Sequence, residues 1–285
     1  MGVDRSSLRF LLSARARGVS FERTLTFGHQ DLNLTPTDQR AEFEAAGVPS
    51  DPVSDSAALF ARLGADSLDV MDASDYEGSV IRHDLNDPVP DGLRERFSAV
   101  VDGGTLEHVF NVGQGLKNAM EMVRSGGHLI TLSPANNLMG HGFYQFSPDL
   151  FFRALSAENG FRIERVVLAE WGGGWFEAVD PASVGSRVEL VNDRHVFIMT
   201  QAQRVEVKPV FETWPHQSDY TTRWNDGAGA YIEGRSLMEH GLRQRLKSVG
   251  PLWRLLRRLK WAVREVGADR RRSFDNAAHY RPVDR

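Results

Sequence analysis

The chain has 285 residues, no cysteine and a formal net charge of −4, and 41% of its residues are hydrophobic. This length suits one large domain or one domain with an extension, and the hydrophobic fraction is sufficient for a packed core. Because cysteine is absent, disulfides, zinc–cysteine sites and thiol nucleophiles are excluded. The acidic balance argues against general nucleic-acid binding, so we expect no nucleic-acid partner.

No apolar run reaches the roughly 20 residues that a membrane-spanning helix needs. Near the N-terminus, Arg9, Arg15 and Arg17 interrupt the apolar residues, so the pattern of a signal peptide is missing. We therefore expect a soluble, cytoplasmic protein.

Helix and strand patterns alternate over the first two hundred residues. Apolar residues spaced three and four apart predict helices, and short β-branched runs predict strands. The predicted helices cover residues 4–17, 37–46, 56–63, 91–97, 116–123 and 148–157. The predicted strands cover residues 23–27, 67–71, 79–83, 97–101, 128–132, 161–170 and 194–200. This alternation predicts a doubly wound, Rossmann-like α/β fold with a mostly parallel, seven-stranded sheet and helices on both faces.

The pattern changes after about residue 205. Residues 236–266 are basic and helical in pattern, with leucines on one side and arginines largely elsewhere. We therefore predict a Rossmann-like domain, residues 1–205, and a C-terminal extension, residues 206–285. A helix of this kind fits peripheral contact with a membrane surface, and docking onto its own domain or a second copy in a homodimer is the alternative.

Acidic residues follow three successive predicted strands, namely Asp72, Asp84 and Asp102, and the polar turn of residues 28–31 follows the first strand. The carboxyl ends of parallel strands meet at one edge, where open α/β sheets bind ligands. An acid after the second strand is placed to accept both hydroxyl hydrogens of a ribose, and an acid after the next can accept from an adenine amine. The alternative is that these acids are turn residues or helix caps.

Four segments of this region resemble a known family. They are DASDYEG at 72–78, HDLN at 83–86, DGGTLEH at 102–108 and GHGFYQFSP at 140–148. With the order of elements, they are similar to class I S-adenosylmethionine-dependent methyltransferases, and more narrowly to a bacterial subgroup of that family. The resemblance covers roughly residues 20–200.

The resemblance implies S-adenosyl-L-methionine as cofactor and methyl transfer as activity. It places the cofactor ribose on Asp72, with Asp69 and Asp75 as register alternatives, and it places Asp84 and Leu85 beside the adenine. It also places Asp102 and Gly103 beside the methionine part and the methyl group. With the turn after the first strand included, the predicted cofactor-binding residues are Gly28, Gln30, Asp31, Asp72, Asp84, Leu85, Asp102 and Gly103.

The turn after the first strand departs from the family. Most members carry several glycines of the kind GxGxG there, which let the backbone approach the methionyl group, whereas FGHQDLNL has only Gly28. Binding through the Gly28 backbone and the side chain of Gln30 or Asp31 is one account. A weakened or lost cofactor site is the other, so the alternative function is a non-catalytic protein that keeps this fold for ligand binding or scaffolding.

His108, Glu107 and His141 are the predicted catalytic residues. Methyl transfer is an in-line displacement, so the enzyme mainly positions the partners, and a general base helps when the acceptor atom is oxygen. His108 is the predicted base because its unperturbed pKa lies near neutrality, and His141 is the second candidate. Our prediction includes no metal. Two alternatives stay open: the three residues ligate a divalent metal that orients a sugar or diol oxygen, or His108 is a cap or packing residue.

The loop of residues 136–147 is polar and aromatic, and we predict that it binds the acceptor. Gly140 and Gly142 would allow it to move, and the alternative is a packed loop that covers the sheet edge. The predicted acceptor-binding residues are Asn137, His141, Tyr144 and Gln145. With the subgroup resemblance, this composition predicts O-methylation of a carbohydrate or another polar small molecule, so a small-molecule or glycan acceptor is the expected partner.

Overall fold

A computed structural model of the protein describes residues 2–75, 80–225 and 272–283. Its contacts separate the chain into two compact units. The first unit comprises Met1–Ala178, Asp193–Pro215 and Pro282–Arg285, and the second comprises Val179–Asn192 and His216–Arg281. The boundary predicted after residue 205 stays a prediction, and the basic segment of residues 236–266 lies outside the described residues.

The described elements follow the predicted alternation. The strands are β1 (Gly2–Val3), β2 (Arg23–Phe27), β3 (Asp31–Leu32), β4 (Ser67–Asp72), β5 (Ile81–Arg82), β6 (Phe97–Asp102), β7 (Val123–Asn136), β8 (Phe161–Glu170), β9 (Trp175–Ala178), β10 (Val196–Arg204) and β11 (Tyr280–Pro282). The α-helices are α1 (Arg5–Ala16), α2 (Pro36–Ala45), α3 (Ser56–Leu63), α4 (Val112–Met122), α5 (Pro148–Ala154), α6 (Pro181–Val184) and α7 (Ser218–Asn225). Short 3-10 helices cover Asp91–Leu93, Leu106–His108 and Ala157–Asn159. Within the described residues, no helix combines the length and apolar character needed to cross a membrane.

The main sheet of the first unit has the strand order β9-β8-β10-β7-β6-β2-β4-β5. Strands β2, β4, β5, β6 and β7 are parallel to their neighbours in this group. The chain order therefore reverses between β2 and β6, which is the topological switch point of a Rossmann-like sheet. The predicted α/β fold is confirmed. Strand β10 is the main departure from a parallel sheet, because it runs antiparallel to both β7 and β8.

The carboxyl ends of the central strands lie in register. Phe27 of β2 is paired with Met71 of β4 and with Asp102 of β6, and Asp102 is paired with Thr131 of β7. The N–H of Gly28 then donates to the carbonyl oxygen of Met71 at 2.7 Å. The residues that follow β2, β4 and β6 consequently meet at one edge of the sheet.

Helices α1 and α3 cover one face of this sheet. Their buried residues, such as Phe10 and Phe60, share an apolar core with Ala99 and Val101 of β6 and Ile130 of β7. Ala99 and Val101 are two residues apart, as the alternation of side chains along a strand requires for one face. Both helices begin at an aspartate that accepts a backbone N–H, Asp4 in α1 and Asp55 in α3, which fixes where each helix starts.

The structure differs from the sequence prediction between residues 123 and 127, since we expected the strand after α4 to begin only at residue 128. The helix ends at Met122, and β7 already begins at Val123. Gly127 allows close approach of two strands, because a Cβ atom there would lie 2.8 Å from the carbonyl oxygen of Ser98. The short strands β1, β3 and β9 were not predicted, since two to four residues are too few to show a period of two.

Candidate active site

The turn after β2 brings Gly28 next to Asp72. Gly28 has a left-handed backbone with φ of 67°, and a Cβ atom there would lie 3.9 Å from Oδ2 of Asp72 and 3.5 Å from Oγ1 of Thr105. Asp72 ends β4, and its Oδ1 accepts the N–H of Ser74 at 2.8 Å. A glycine backbone and a carboxylate therefore lie side by side at the switch-point edge, and the ribose-binding role of Asp72 stays a prediction.

The two register alternatives to Asp72 have different surroundings. Asp69 lies in the middle of β4, and its Oδ2 is 3.3 Å from Nη2 of Arg96. Asp75 is exposed and lies three residues beyond the end of the strand. Of the three aspartates, Asp72 is therefore the one that the structure places next to Gly28.

Gln30 occupies the space that glycine leaves at position 103. Its side chain is buried, and its Nε2 donates to the carbonyl oxygen of Phe27 at 2.9 Å. A Cβ atom on Gly103 would collide with the Gln30 amide. Gln30 thus lies across the switch point between β2 and β6. Asp31 differs from Gln30, because it pairs in β3 with Gly2 and its side chain is 71% exposed.

The side chain of Asp102 packs against the turn of residues 103–106, which follows it directly. This side chain is fully buried, and Oδ1 accepts the N–H of Thr105 at 2.8 Å and that of Leu106 at 3.3 Å. Burial raises the pKa of Asp102 to about 6, against the lowering effect of these hydrogen bonds. The carboxylate therefore stabilises the turn of residues 103–106, and its place beside the methyl donor stays a prediction.

Asn118 of α4 fixes the position of the segment that begins at Asp84. Asn86 donates to Oδ1 of Asp84, and these hydrogen bonds lower the pKa of Asp84. Leu85 is buried, and its carbonyl oxygen accepts from Nδ2 of Asn118 at 3.1 Å. Asn118 also accepts the N–H of Val89 at 2.9 Å. Asn118 is not among the predicted site residues, because the sequence pattern of a helix does not indicate which backbone groups a polar side chain will hydrogen-bond.

The structure brings the three predicted catalytic residues together. Glu107 and His108 lie in the 3-10 helix that follows β6, and His141 comes from the loop after β7. Nε2 of His141 is 3.8 Å from Oε1 of Glu107, and the two imidazole rings are 5.7 Å apart between centroids. One potential ligand atom from each residue lies within 4.8 Å of the others.

The cluster combines a buried acid with two more accessible bases. Burial raises the pKa of Glu107 to about 8, and the nearby Asp102 carboxylate adds to this effect. Burial and the neighbouring His141 lower the pKa of His108. His108 is therefore neutral at physiological pH, and its ring carries a lone pair that can take up a proton or a cation.

The predicted acceptor loop uses several of its polar side chains to hold its own shape. Nδ2 of Asn137 donates to the carbonyl oxygen of Arg194 at 2.7 Å, and Oε1 of Gln145 accepts the N–H of Leu138 at 2.8 Å. The hydroxyl of Tyr144 donates to the carbonyl oxygen of Phe110 at 2.7 Å. These contacts agree with the packed-loop alternative, and the acceptor-binding roles of these residues stay predictions.

Aromatic rings form an exposed wall on this loop. Phe143 is 67% exposed and meets Phe110, which is 73% exposed, edge to face at 5.9 Å. Phe143 also contacts Tyr144, which stacks on the buried Phe146. The sequence analysis missed Phe110, although a lone phenylalanine between His108 and Asn111, outside any helix or strand pattern, is a signal for an exposed ring. The two rings thus contact each other while both remain largely exposed to solvent.

A separate cleft of about 390 Å³ lies where β8 ends and β10 begins. It is lined by Trp171, Trp175 and Phe197, among others, and by Arg5 and Arg9 of α1. The N–H of Trp171 donates to the carbonyl oxygen of His195, the residue after the Arg194 carbonyl that holds the acceptor loop. Because β10 is reversed, this cleft opens on the same edge of the sheet as the carboxyl ends of the parallel strands.

Comparisons with known proteins yield no matching family model and no matching curated protein. Solved structures that align with the chain include an S-adenosylmethionine-dependent methyltransferase from Mesorhizobium loti. The two are 15% identical over 70% of this chain and 98% of that one, with a TM-score of 0.41. The N-methyltransferase NodS from Bradyrhizobium japonicum, in complex with S-adenosyl-L-homocysteine, is 13% identical over 71% and 87%, with a TM-score of 0.40.

A third aligned structure is the branched-chain polyamine synthase from Thermus thermophilus, in complex with N4-aminopropylspermidine and 5'-methylthioadenosine. It is 14% identical over 74% of this chain and 61% of that one, with a TM-score of 0.37. The chain has a Rossmann-like α/β fold in which β9 and β10 run opposite to the parallel strands, and its potential site residues lie at the switch-point edge.

Proposed function

We propose that this protein is an S-adenosyl-L-methionine-dependent methyltransferase that acts on an oxygen of a carbohydrate or another polar small molecule. The observation that carries the proposal is the pairing of Gly28 with Asp72 at the switch point, with the Glu107–His108–His141 cluster after the adjacent strand β6. The resemblance of the DGGTLEH and GHGFYQFSP segments to the methyltransferase family supports the same reading.

The residues at this edge suit the nucleoside half of the cofactor. The left-handed Gly28 lets the ligand approach the main chain, and Asp72 would accept hydrogen bonds from the ribose hydroxyls. Asp84 and the buried Leu85 would flank the adenine. On the methionine side, Gln30 and the turn after Asp102 take the place of the missing glycines.

The bound cofactor would supply a methyl group on a positively charged sulfur. Transfer to a hydroxyl breaks the methyl–sulfur bond as the methyl–oxygen bond forms, and the hydroxyl must lose its proton. The chain's task is to align the two partners and to stabilise the oxygen as its proton leaves. The Glu107–His108–His141 cluster is the group of side chains that we assign to this second task.

The first experiment is calorimetric titration with S-adenosyl-L-homocysteine. We expect one site per chain and a loss of at least tenfold in affinity for Asp72→Asn, because a charge-assisted hydrogen bond contributes about 1.5–3 kcal/mol. Asp91→Asn is the matched control, since Asp91 is 94% exposed and should leave the affinity unchanged. The proposal would be refuted by the absence of binding at millimolar ligand.

A specific observation supports a second candidate function. The turn after β2 has one glycine, and the buried Gln30 fills the space beside Gly103. A protein that uses this fold for scaffolding or for binding another ligand would not need the space beside Gly103 to be free for a methionyl group. Absence of S-adenosyl-L-homocysteine binding in the titration would favour this candidate.

The exposed wall of Phe110 and Phe143 supports the acceptor class. Aromatic rings offer flat apolar faces that pack against sugar C–H groups, while the hydroxyls of the acceptor remain free to reach the His141 side of the loop. Transfer of a labelled methyl group from the cofactor to methyl glycosides tests this choice, with primary amines of similar size as the comparison. Labelling of the amines without labelling of the glycosides would contradict the oxygen acceptor.

A further inference from the structure

We propose that Glu107, His108 and His141 form a binding site for one divalent first-row transition metal, of which Zn²⁺ is the representative probe. The site consists of one carboxylate and two imidazoles whose ligand atoms lie within 4.8 Å of one another. The proposal concerns metal binding itself and does not depend on methyl transfer.

The burial of Glu107 is the first argument. Its side chain is 0% exposed, and among the residues that the structure describes neither of its carboxylate oxygens has a hydrogen-bond partner. A buried carboxylate that lacks a hydrogen-bonding partner is unfavourable by several kcal/mol, so such groups are paired, protonated or bound to a metal. The nearest cationic candidate is His141, whose Nε2 stays 3.8 Å from Oε1, beyond hydrogen-bond distance.

The types of ligand atom indicate the class of metal. Two imidazole nitrogens with one carboxylate oxygen occur in zinc sites and in sites for Fe²⁺ and related ions, with the remaining positions open to water or substrate. Mg²⁺ and Ca²⁺ prefer oxygen ligands throughout, so a site with two imidazoles disfavours them. The set in this protein therefore points to a transition metal with open coordination positions.

The loop that carries His141 can bring the ligands to bonding distance. Around a tetrahedral metal with bonds of about 2.1 Å, neighbouring ligand atoms lie about 3.4 Å apart. The His141–Glu107 distance of 3.8 Å is already close to this value. The other separations are at most 4.8 Å, so the ligand atoms must approach by up to about 1.4 Å. Gly140, with φ of 85°, and Gly142 flank His141 and allow its loop to make this adjustment without moving β7.

A filled site would change how the acceptor loses its proton, and this consequence does rest on the proposed function. Metal coordination and proton uptake use the same imidazole lone pairs, so His108 would act as a ligand in place of its predicted role as base. The metal would make an acceptor hydroxyl more acidic, as metals do for bound water, and the hydroxyl proton would then pass to solvent water in place of His108.

The direct test is calorimetric titration of the chelator-treated full chain with ZnCl₂, followed by Co²⁺ absorption spectroscopy. We expect one Zn²⁺ per chain and visible Co²⁺ bands typical of nitrogen and oxygen ligands. Glu107→Gln and His141→Ala should each weaken Zn²⁺ binding by more than about tenfold, since even loss of a group that only supports a ligand has an effect of this size.

His195→Ala is the matched control, because His195 is an exposed histidine at the same edge that lies outside the cluster. His141→Ala changes a partly exposed loop residue, so it keeps the test decisive if Glu107→Gln does not fold. Absence of Zn²⁺ binding in the wild type, or equal affinity in wild type and His141→Ala, would overturn the metal site. Such a result leaves the methyltransferase proposal standing, since that proposal is judged by S-adenosyl-L-homocysteine binding.

Discussion

Gln30 and Gly103 fit together across the switch point, because the amide of Gln30 occupies the volume where any larger residue at position 103 would place its Cβ atom. The amide is fixed there by donation to the carbonyl oxygens of Phe27 and Gly28. Gln30 thus packs the turn after β2 against the turn after β6, beside the hydrogen bond that Thr105 donates to the carbonyl oxygen of Phe27.

The first prediction concerns Gly103→Ala. The new methyl group would displace the buried Gln30 amide and break its hydrogen bonds, so we expect the free energy of unfolding to fall by about 1–3 kcal/mol. Urea denaturation measures this change. Gly92→Ala is the control, because a Cβ atom at Gly92 meets no other atom within 4 Å.

The same pair permits a double-mutant cycle. Gln30→Ala removes the amide with which the new methyl group collides, so adding Gly103→Ala to Gln30→Ala should be nearly neutral. Additive effects of the two substitutions on the free energy of unfolding would show that the packing of Gln30 on Gly103 does not restrict which residue is tolerated at position 103.

The second prediction concerns Asn118→Ala. Asn118 is fully buried and bonds the carbonyl oxygens of Leu85 and Asp87 and the N–H of Val89. Its loss leaves buried backbone groups without partners, so the free energy of unfolding should fall by about 2–3 kcal/mol. Affinity for S-adenosyl-L-homocysteine should fall too, since the freed segment includes Leu85.

Gln114→Ala provides the comparison for Asn118. Gln114 contacts only the Oδ1 of Asn118 among these groups, through its Nε2 at 2.8 Å, and leaves the backbone bonds in place. Its effect on stability should be below about 1 kcal/mol. Equal effects of the two substitutions would argue against a specific role for Asn118 in holding the adenine-side segment.

The third prediction concerns Gly142→Ala in the acceptor loop. A Cβ atom at Gly142 would lie 2.8 Å from the carbonyl oxygen of Glu107 and 3.0 Å from its Cγ. The loop must then move away from Glu107 and take His141 with it. We expect weaker Zn²⁺ binding and faster cleavage of the loop by a protease, with little change in global stability.

Gly113→Ala in α4 is the matched substitution for Gly142, since among the described residues a Cβ atom at Gly113 meets no atom within 4 Å beyond its chain neighbours and the backbone of its own helix. Alanine is also preferred over glycine in a helix by about 1 kcal/mol, so this variant should be slightly stabilised. If Gly142→Ala behaved like Gly113→Ala, the close packing of the loop on Glu107 would not control the cluster.

The fourth prediction concerns pH and Glu42 of α2. Its side chain is 4% exposed and is bonded by Arg9 and Arg5 of α1. Burial raises the pKa of Glu42, but the hydrogen bonds from the two arginines outweigh burial, and the pKa lies below its ordinary value. Ionised Glu42 therefore stabilises the fold above about pH 4.3, its unfolded pKa, and this contribution is lost as the pH falls through the folded pKa.

Thermal unfolding from neutral to acidic pH tests this prediction. Glu42→Gln should be less stable than wild type by about 1–3 kcal/mol at neutral pH, and the difference should shrink as the solution becomes acidic. Glu44→Gln alters an exposed residue of the same helix and should match wild type throughout. A constant difference between Glu42→Gln and wild type at all pH values would contradict the role of charge.

The sequence predicts the positions of the acids well but not the direction of their side chains. Asp72 and Asp102 end β4 and β6 as expected, because an apolar strand that stops at an aspartate is a local signal. The carboxylate either faces a crevice or accepts hydrogen bonds from the turn that follows it, and the position of nearby N–H groups determines which. In Asp102 the N–H groups of Thr105 and Leu106 decide it.

Long-range relationships are the part that local patterns do not contain. Glu107 and His141 are 34 positions apart, and they meet because β7 carries the chain back to the edge from which the Glu107 turn departs. The reversal of β10 is also invisible locally, since the residue pattern of a buried strand is the same in either direction.

The carbonyl oxygen of Glu107 accepts the N–H groups of both Phe143 and Tyr144, at 2.8 and 3.2 Å. A loop that opens to admit a bulky acceptor must break this pair of bonds, and water then reaches the carboxylate that the loop had sealed. Under the proposed methyl transfer, selectivity among acceptors would therefore lie in the rate of reaction and not in entry to the site. A compound too large for the closed loop would bind with the loop open and would react slowly. An acceptor small enough for the loop to close over it would contact Glu107, His108 and His141 in their closed arrangement.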